Sequence, residues 1–297
     1  MKSAEVQAFA EEFVNDPTYG FLRKEAAALP ELPGLRFFDS PLVGYAAADN
    51  EYYVSLIGND EANIDLAQPV FWIEGARTVI SFFFPFSEQV RKSNRKGGAP
   101  SLEWLHARVQ GQQFMQAFAE CFCGRLLAEG YRTLVPQADE RFWQNVLPPH
   151  AAEDCRTRRQ FSSNWSERHV AFGAGLGTFG LHGNLITEKG TAGRLISAVT
   201  EAEIADAHSI SRSGDLPDLY ANCTMCRVCA KRCPNRAISE PGRKLVSKCF
   251  QFMGTVSQEH KIRGRTLHGC GICQVAIPCE CKNPARPRDV ILGIKEV

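Results

Sequence analysis

The sequence predicts an α/β body over residues 1–205 followed by a smaller cysteine-rich module over residues 206–297. Three observations carry that reading. Eight of the twelve cysteines form one spaced pattern in the last quarter of the chain. Upstream, helical apolar periods alternate with β-branched and aromatic runs, as mixed α/β structure requires. Between the two parts lies a polar stretch, Asp206 to Pro217, broken by Gly214 and Pro217. With 44% apolar and 23% charged residues, the composition is that of a folded globular chain rather than a disordered or fibrous one.

The elements follow in order. Val6, Phe9, Ala10 and Phe13 recur at helical spacing between Ser3 and Val14, and the run stops at Asn15-Asp16-Pro17. Leu35 to Ala48 is apolar but interrupted by Pro41 and Gly44, which predicts a strand and a loop. Thr78 to Phe86 is β-branched and aromatic, the pattern of a strand buried on both faces. Arg91 to Pro100 reads as a basic, glycine-bearing loop. Ser101 opens a long helix with apolar residues at Leu105, Val109, Phe114, Phe118, Phe122 and Leu126, and Gly130 ends it. Tyr131 to Val135 reads as a strand. Leu185–Thr187 and Leu195–Val199 flank Glu188 to Gly193, which predicts a hairpin-like turn. The longest apolar run, Thr78 to Phe86, is too short to cross a membrane. The first residues carry neither a cleavable apolar signal nor twin arginines. The expectation is a cytoplasmic, reduced protein without membrane contact.

The cysteines carry the chemistry. Cys223, Cys226, Cys229 and Cys233 read C-x2-C-x2-C-x3-C and are followed by Pro234. This is the bacterial ferredoxin run for a [4Fe–4S] cluster, whose fourth cysteine serves a second cluster. Three cysteines at this spacing wrap one loop around three corners of a cubane. The fourth stands before a proline that favours a new helix start, so it has turned away. A second set follows at Cys249, Cys270, Cys273 and Cys279. The resulting partition gives Cys223, Cys226, Cys229 and a late cysteine to one cluster, and Cys233, Cys249, Cys270 and Cys273 to the other. The late ligand is Cys279, with Cys281 as its competitor. Two [4Fe–4S] clusters in a ferredoxin-like module imply traffic in single electrons. A disulfide framework suits small secreted chains, and zinc has no need of three cysteines in one such row. Cys121, Cys123 and Cys155 lie outside the pattern, and the first two read as small apolar residues of the long helix.

Charge is unevenly spread. Residues 223–297 hold 14 Lys+Arg against 5 Asp+Glu, and the remainder holds 20 against 28. Each [4Fe–4S]2+ core with four thiolates carries about −2, which offsets part of the surplus. The residual positive face suits an acidic electron donor such as a flavodoxin or ferredoxin, or RNA.

Gly175 to Gly180 contains a literal G-x-G-x-x-G. A dinucleotide fingerprint needs a strand before it and a helix after it. Here Trp165 to Phe172 reads as a helix and Leu181 to Thr187 heads into a strand, so the context is reversed. The plainer reading is a helix end with a tight turn. The functional one is backbone that approaches a large flat cofactor.

Asn164-Trp165-Ser166-Glu167-Arg168-His169, followed by Ala174-Gly175-Leu176-Gly177-Thr178-Phe179-Gly180-Leu181-His182-Gly183-Asn184-Leu185-Ile186, resembles the core of the epoxyqueuosine reductases. Those enzymes depend on cobalamin and two clusters and are similar to reductive dehalogenases. Glu74 to Ser81, Lys248-Cys249-Phe250 and Gly269 to Gln274 also resemble family segments, in order along residues 70–281. The resemblance implies a nitroreductase-like α/β body that binds a corrinoid near Gly175, Gly177, Gly180, His182 and Asn184. Electrons would pass through the clusters to the corrinoid, which would reduce a small-molecule substrate. Three departures point away from a tRNA substrate. Phe161 stands where the family's proton-donating aspartate is expected, the helical-repeat extension has no counterpart, and five residues separate Cys273 from Cys279 rather than three. The proton-donor candidates are then Asp154 and His169, with His182 and Ser163 behind them. Each has a structural reading too: Asp154 as a helix cap, His169 as a satisfied helix histidine, and the Glu167-Arg168 pair as a pin for the glycine loop. A cytosolic cobalamin-dependent iron–sulfur reductase leads. The alternatives are a two-cluster electron carrier without a corrinoid and an epoxyqueuosine reductase acting on tRNA.

Overall fold

A phenylalanine-rich strand organises the body. The computed structural model describes residues 2–58, 64–144, 162–204, 210–211, 218–239, 244–262 and 265–285. Along the body run α1 (Ser3–Asn15), β1 (Leu42–Ala47), α2 (Glu51–Val54), α3 (Pro69–Trp72), β2 (Thr78–Pro85), α4 (Glu88–Ser93) and α5 (Leu102–Ala128). After these come β3 (Thr133–Leu134), α6 (Glu167–Gly173), β4 (Gly177–Phe179), β5 (Leu185–Thr187), β6 (Gly193–Thr200) and β7 (Ile210–Ser211). The cysteine-rich part adds α7 (Val228–Arg232), α8 (Val246–Glu259), β8 (Lys261–Ile262) and β9 (Arg265–Thr266).

The main sheet has the order β3-β6-β2-β1-β7. β2 is central and pairs antiparallel with β1 and β6, while β7 joins β1 in parallel. All eight residues of β2 are buried. Because side chains alternate along a strand, Ile80, Phe82 and Phe84 pack toward α1 and α5, and Val79 and Phe83 pack toward the opposite side. On the first side Phe118 of α5 meets the rings of Phe9, Phe13, Phe82 and Phe84. On the other side Trp165, Val170 and Tyr53 cover Val79 and Val199. The sheet is thus a layer between helices, a mixed α/β fold.

Most expected elements are present. Ser101 caps α5, its Oγ accepting from the Trp104 N–H at 3.2 Å. The expected hairpin around residues 188–193 is not formed. β5 pairs with β4 in a separate two-stranded sheet, and β6 belongs to the main sheet. The chain folds back on itself at Thr187 and Gly190, where the Gly190 backbone lies against Glu280 and Cys281. The neighbours of this turn cannot be read locally, because they come from residues about ninety positions further along the chain. Among the described residues no helix is long and apolar enough to cross a membrane.

Candidate functional site

The glycine loop is built as a helix end and a tight hairpin. α6 ends at Gly173, and Gly175 takes a φ of 72°, where no neighbour lies within 4 Å of a hypothetical Cβ. Gly177 is pressed against the Ile186 carbonyl, so any side chain there would break the β4–β5 pairing. At Gly180 a Cβ would meet the ring of His182. Two of the three glycines expected to face a corrinoid are therefore required by the loop's own packing.

The first cysteine set gathers against this hairpin. Cys223, Cys226, Cys229 and Cys279 line one small pocket together with Leu181, His182 and Ile186. Asn222 ties the cysteine loop to the hairpin: its N–H donates to Thr178 Oγ1 and its Nδ2 to the Ile186 carbonyl, both at 2.8 Å. Burial and the neighbouring cysteines push the thiols of Cys229 and Cys279 up to about 12. His182 sits here rather than over a cofactor cavity. Its Nδ1 accepts from the Asn184 N–H at 3.1 Å, so a neutral ring carries its proton on Nε2, 3.6 Å from Cys279 Sγ. Burial, Lys244 and Arg168 depress its pKa to about 3, which keeps the ring neutral. Cys279 is buried and Cys281 is exposed.

The second set lines a larger cavity of about 420 Å³, which Cys233, Cys249, Cys270 and Cys273 share with Lys244 and Arg168. Burial raises the Cys270 thiol to about 12, with Cys273, Cys249 and Cys233 adding to it. Lys244 is raised despite its burial, because Cys273 and Cys249 lie close. The N–H of Ala237 donates to Cys233 Sγ at 3.2 Å. Such thiols lose their protons on meeting a metal, so ligation releases them. Among the described residues no three His, Cys, Asp or Glu side chains converge on a single metal ion. The corners of a cubane stand further apart than the ligands of one ion.

The backbone bears the cost of these loops. Among the described residues, the non-glycine positions with left-handed φ are Met225, Arg227, Arg236 and Ala276. Each lies within three residues of a patterned cysteine, and each costs about 1–2 kcal/mol. Turns of this kind aim successive N–H groups at one point, the arrangement found at iron–sulfur sites. The donor set and the backbone both fit the cluster assignment made from the sequence.

A third cavity, of about 680 Å³, lies between α6, the glycine hairpin and α8, and Tyr52, Trp165, His169, Phe179 and Gly180 are among its lining. It shares Gln137, Glu167, Arg168, Lys244 and Val246 with the cavity of the second cysteine set. Of the five residues expected to face a corrinoid, Gly180 alone lines this cavity, while Asn184 lines the other. Arg168 donates to the Gly183 carbonyl at 2.6 Å, which does pin the glycine loop. It is surrounded by protein yet open to solvent through the cavities.

The proton-donor candidates divide. Asp154 lies outside the described residues. His169 lines the larger cavity, its Nδ1 is 2.9 Å from Ser166 Oγ, and its ring packs on Phe179. Burial and Arg168 depress its pKa to about 3, so it holds no imidazolium proton at neutral pH. Glu167, read from sequence only as part of a loop pin, is the more telling group. No donor stands within hydrogen-bond distance of either buried carboxylate oxygen, and burial raises its pKa to about 8 against the opposing pull of Ser197, Arg194 and Trp165 nearby. It therefore keeps its proton at the wall common to both cavities. A polar residue opening a helix gave no sign of this, because its burial depends on Arg194 and Ser197 of β6, well downstream in sequence.

Comparison with known proteins adds a partial match. No family model matches the chain. Over 134 residues it is 30% identical to epoxyqueuosine reductase of Bacillus subtilis (strain 168), a span of 42% of this chain and 32% of that protein. The chain thus matches about a third of its curated relative's length. A solved epoxyqueuosine reductase from Streptococcus thermophilus is 16% identical with a TM-score of 0.45, covering 93% of this chain and 65% of that one. A catabolic reductive dehalogenase is 16% identical with a TM-score of 0.46, covering 94% and 37%. By its sequence, the chain is a distant relative of epoxyqueuosine reductase.

Proposed function

We propose that the chain is an iron–sulfur reductase of epoxyqueuosine reductase type, with a nitroreductase-like body and a ferredoxin-like module. The observation that carries this is the gathering of eight cysteines into two sets, one of them opening onto a chain of cavities that reaches the body. Cys223, Cys226, Cys229 and Cys279 would hold one [4Fe–4S] cluster, and Cys233, Cys249, Cys270 and Cys273 the other. A corrinoid in the 680 Å³ cavity would supply low-valent metal chemistry when bound. The cavity supports that assignment better than the glycines do.

The chain's own residues have definable tasks. Lys244 and Arg168 face the second cysteine set and offset its negative charge. Tyr52, Trp165 and Phe179 give the larger cavity an aromatic wall that excludes water from a flat ligand. Glu167 holds a proton where a reduction would consume one. The substrate is a small molecule, the electron donor an acidic carrier such as flavodoxin or ferredoxin, and the setting cytoplasmic.

Anaerobic reconstitution tests the reading. The chain is expected to take up about eight irons with matching sulfide, and to give two interacting cluster signals by EPR on reduction. Added cob(II)alamin is expected to change its EPR spectrum on binding. Fewer than about four irons per chain would remove the cluster assignment. Full iron loading with an unchanged cobalamin spectrum would leave an electron carrier in its place.

A further inference from the structure

The cavity beside the second cysteine set holds more positive charge than the cysteines account for. Lys244 and Arg168 both respond to the thiolates there, but Arg108 and Arg194, which line the same cavity, do not. Arg108 comes from α5 and Arg194 from β6. The Arg194 Nη1 donates to the Arg108 carbonyl at 3.1 Å, and its Nη2 donates to Gln112 Oε1. Neither guanidinium forms an ion pair with an acid among the described residues. Burial lowers both pKa values, that of Arg194 to about 9 with Arg108 as the next cause, and both groups stay cationic at neutral pH. The acid within electrostatic reach of Arg194 is Glu167, whose carboxyl is pushed toward its neutral form by burial and forms no ion pair with the guanidinium among the described residues. On the same cavity wall the Nδ2 of Asn184 is buried with no acceptor.

Two half-buried cations on one cavity wall, without an acid partner among the described residues, favour an anion that meets them. Guanidinium groups match carboxylate and phosphate geometry with two parallel hydrogen bonds, and an unfilled amide donor adds a third. We propose that Arg108, Arg194 and the Asn184 Nδ2 form a receptor for an oxyanion, a carboxylate or phosphate group borne by the substrate. The receptor itself needs no cofactor; only its assignment to a substrate rests on the reductase reading. An anion held there lies on the cavity that both the second cysteine set and Glu167 line, so the substrate's reducible part can extend toward either.

The test is calorimetric titration of the purified, anaerobic chain with inorganic phosphate and with benzoate at fixed ionic strength. One saturable site is expected for at least one of the two anions. Arg194→Gln and Arg108→Gln are each expected to weaken it about tenfold or more, the loss of one charge-assisted pair. Lys92→Gln, at the exposed end of α4, is expected to leave it unchanged. The Arg108 side chain donates no hydrogen bond to the described residues, so Arg108→Gln keeps the test informative if Arg194→Gln fails to fold. No saturable binding of either anion, or wild-type affinity in Arg108→Gln, would overturn the receptor. Displacement of the bound anion by cobalamin would overturn its assignment to the substrate and give it to the corrinoid's phosphate tail. Iron and sulfide content of the same sample reports on the clusters separately, so either reading can fail alone.

Discussion

At the scale of single residues, Glu167 makes the sharpest prediction. Its ordinary pKa of 4.5 rises to about 8 in the fold. Between those values the folded chain keeps a proton that the unfolded chain has released. Stability therefore falls as pH rises through that window, by about 1.4 kcal/mol per pH unit from this group. Denaturant titrations from pH 5 to 8 are expected to show that slope flattened in Glu167→Gln. Equal slopes in the two proteins would show the carboxyl to be ionised. The last cysteine is a second case. Cys279→Ser is expected to lower bound iron by about half, with Cys281→Ser close to wild type, because one thiol is buried among its partners and the other is exposed. Iron analysis of the two variants decides between them. The spacing in the sequence left this choice open, since both cysteines are within reach along the chain and only the fold turns one inward.

At the scale of elements, α5 shows how much a pattern can reveal. Its cap, its length and its buried stripe of Phe114, Phe118, Phe122 and Leu126 were legible, because a helix on a sheet must present one apolar face. Phe118→Ala is expected to cost about 3–5 kcal/mol in chemical denaturation, as six other rings lose a partner. The partition of the strands after residue 185 was not legible. β5 and β6 look like neighbours in sequence, but β5 pairs backward to β4 and β6 pairs with β2 and β3. Which partner a short strand takes depends on surfaces formed by distant residues. The same holds for Gly271, whose φ of 66° and contact with Trp104 place the turn between Cys270 and Cys273. Gly271→Ala is expected to release the second cluster and spare the first, as read by EPR.

At the scale of the whole molecule, Glu280 joins the two parts. It is buried, it accepts both Nε and Nη2 of Arg95 at 3.1 and 2.7 Å, and it accepts the Ala276 N–H at 2.7 Å. Glu280→Ala is expected to cost about 2–3 kcal/mol, below the range for a wholly buried pair because Arg95 is half-exposed. Loss should be measured as a lower denaturation midpoint. Next to it, the N–H of Thr191 donates to the Cys279 carbonyl at 2.9 Å. Cys279, the proposed fourth ligand of the first set, is thus held by the turn between β5 and β6, while the other three cysteines arrive together on one short loop. During synthesis that loop emerges with three thiols and no fourth. On the proposed assignment its cluster would close only once the turn between β5 and β6 is in place to hold Cys279, which would make maturation of this centre a checkpoint on folding rather than its trigger.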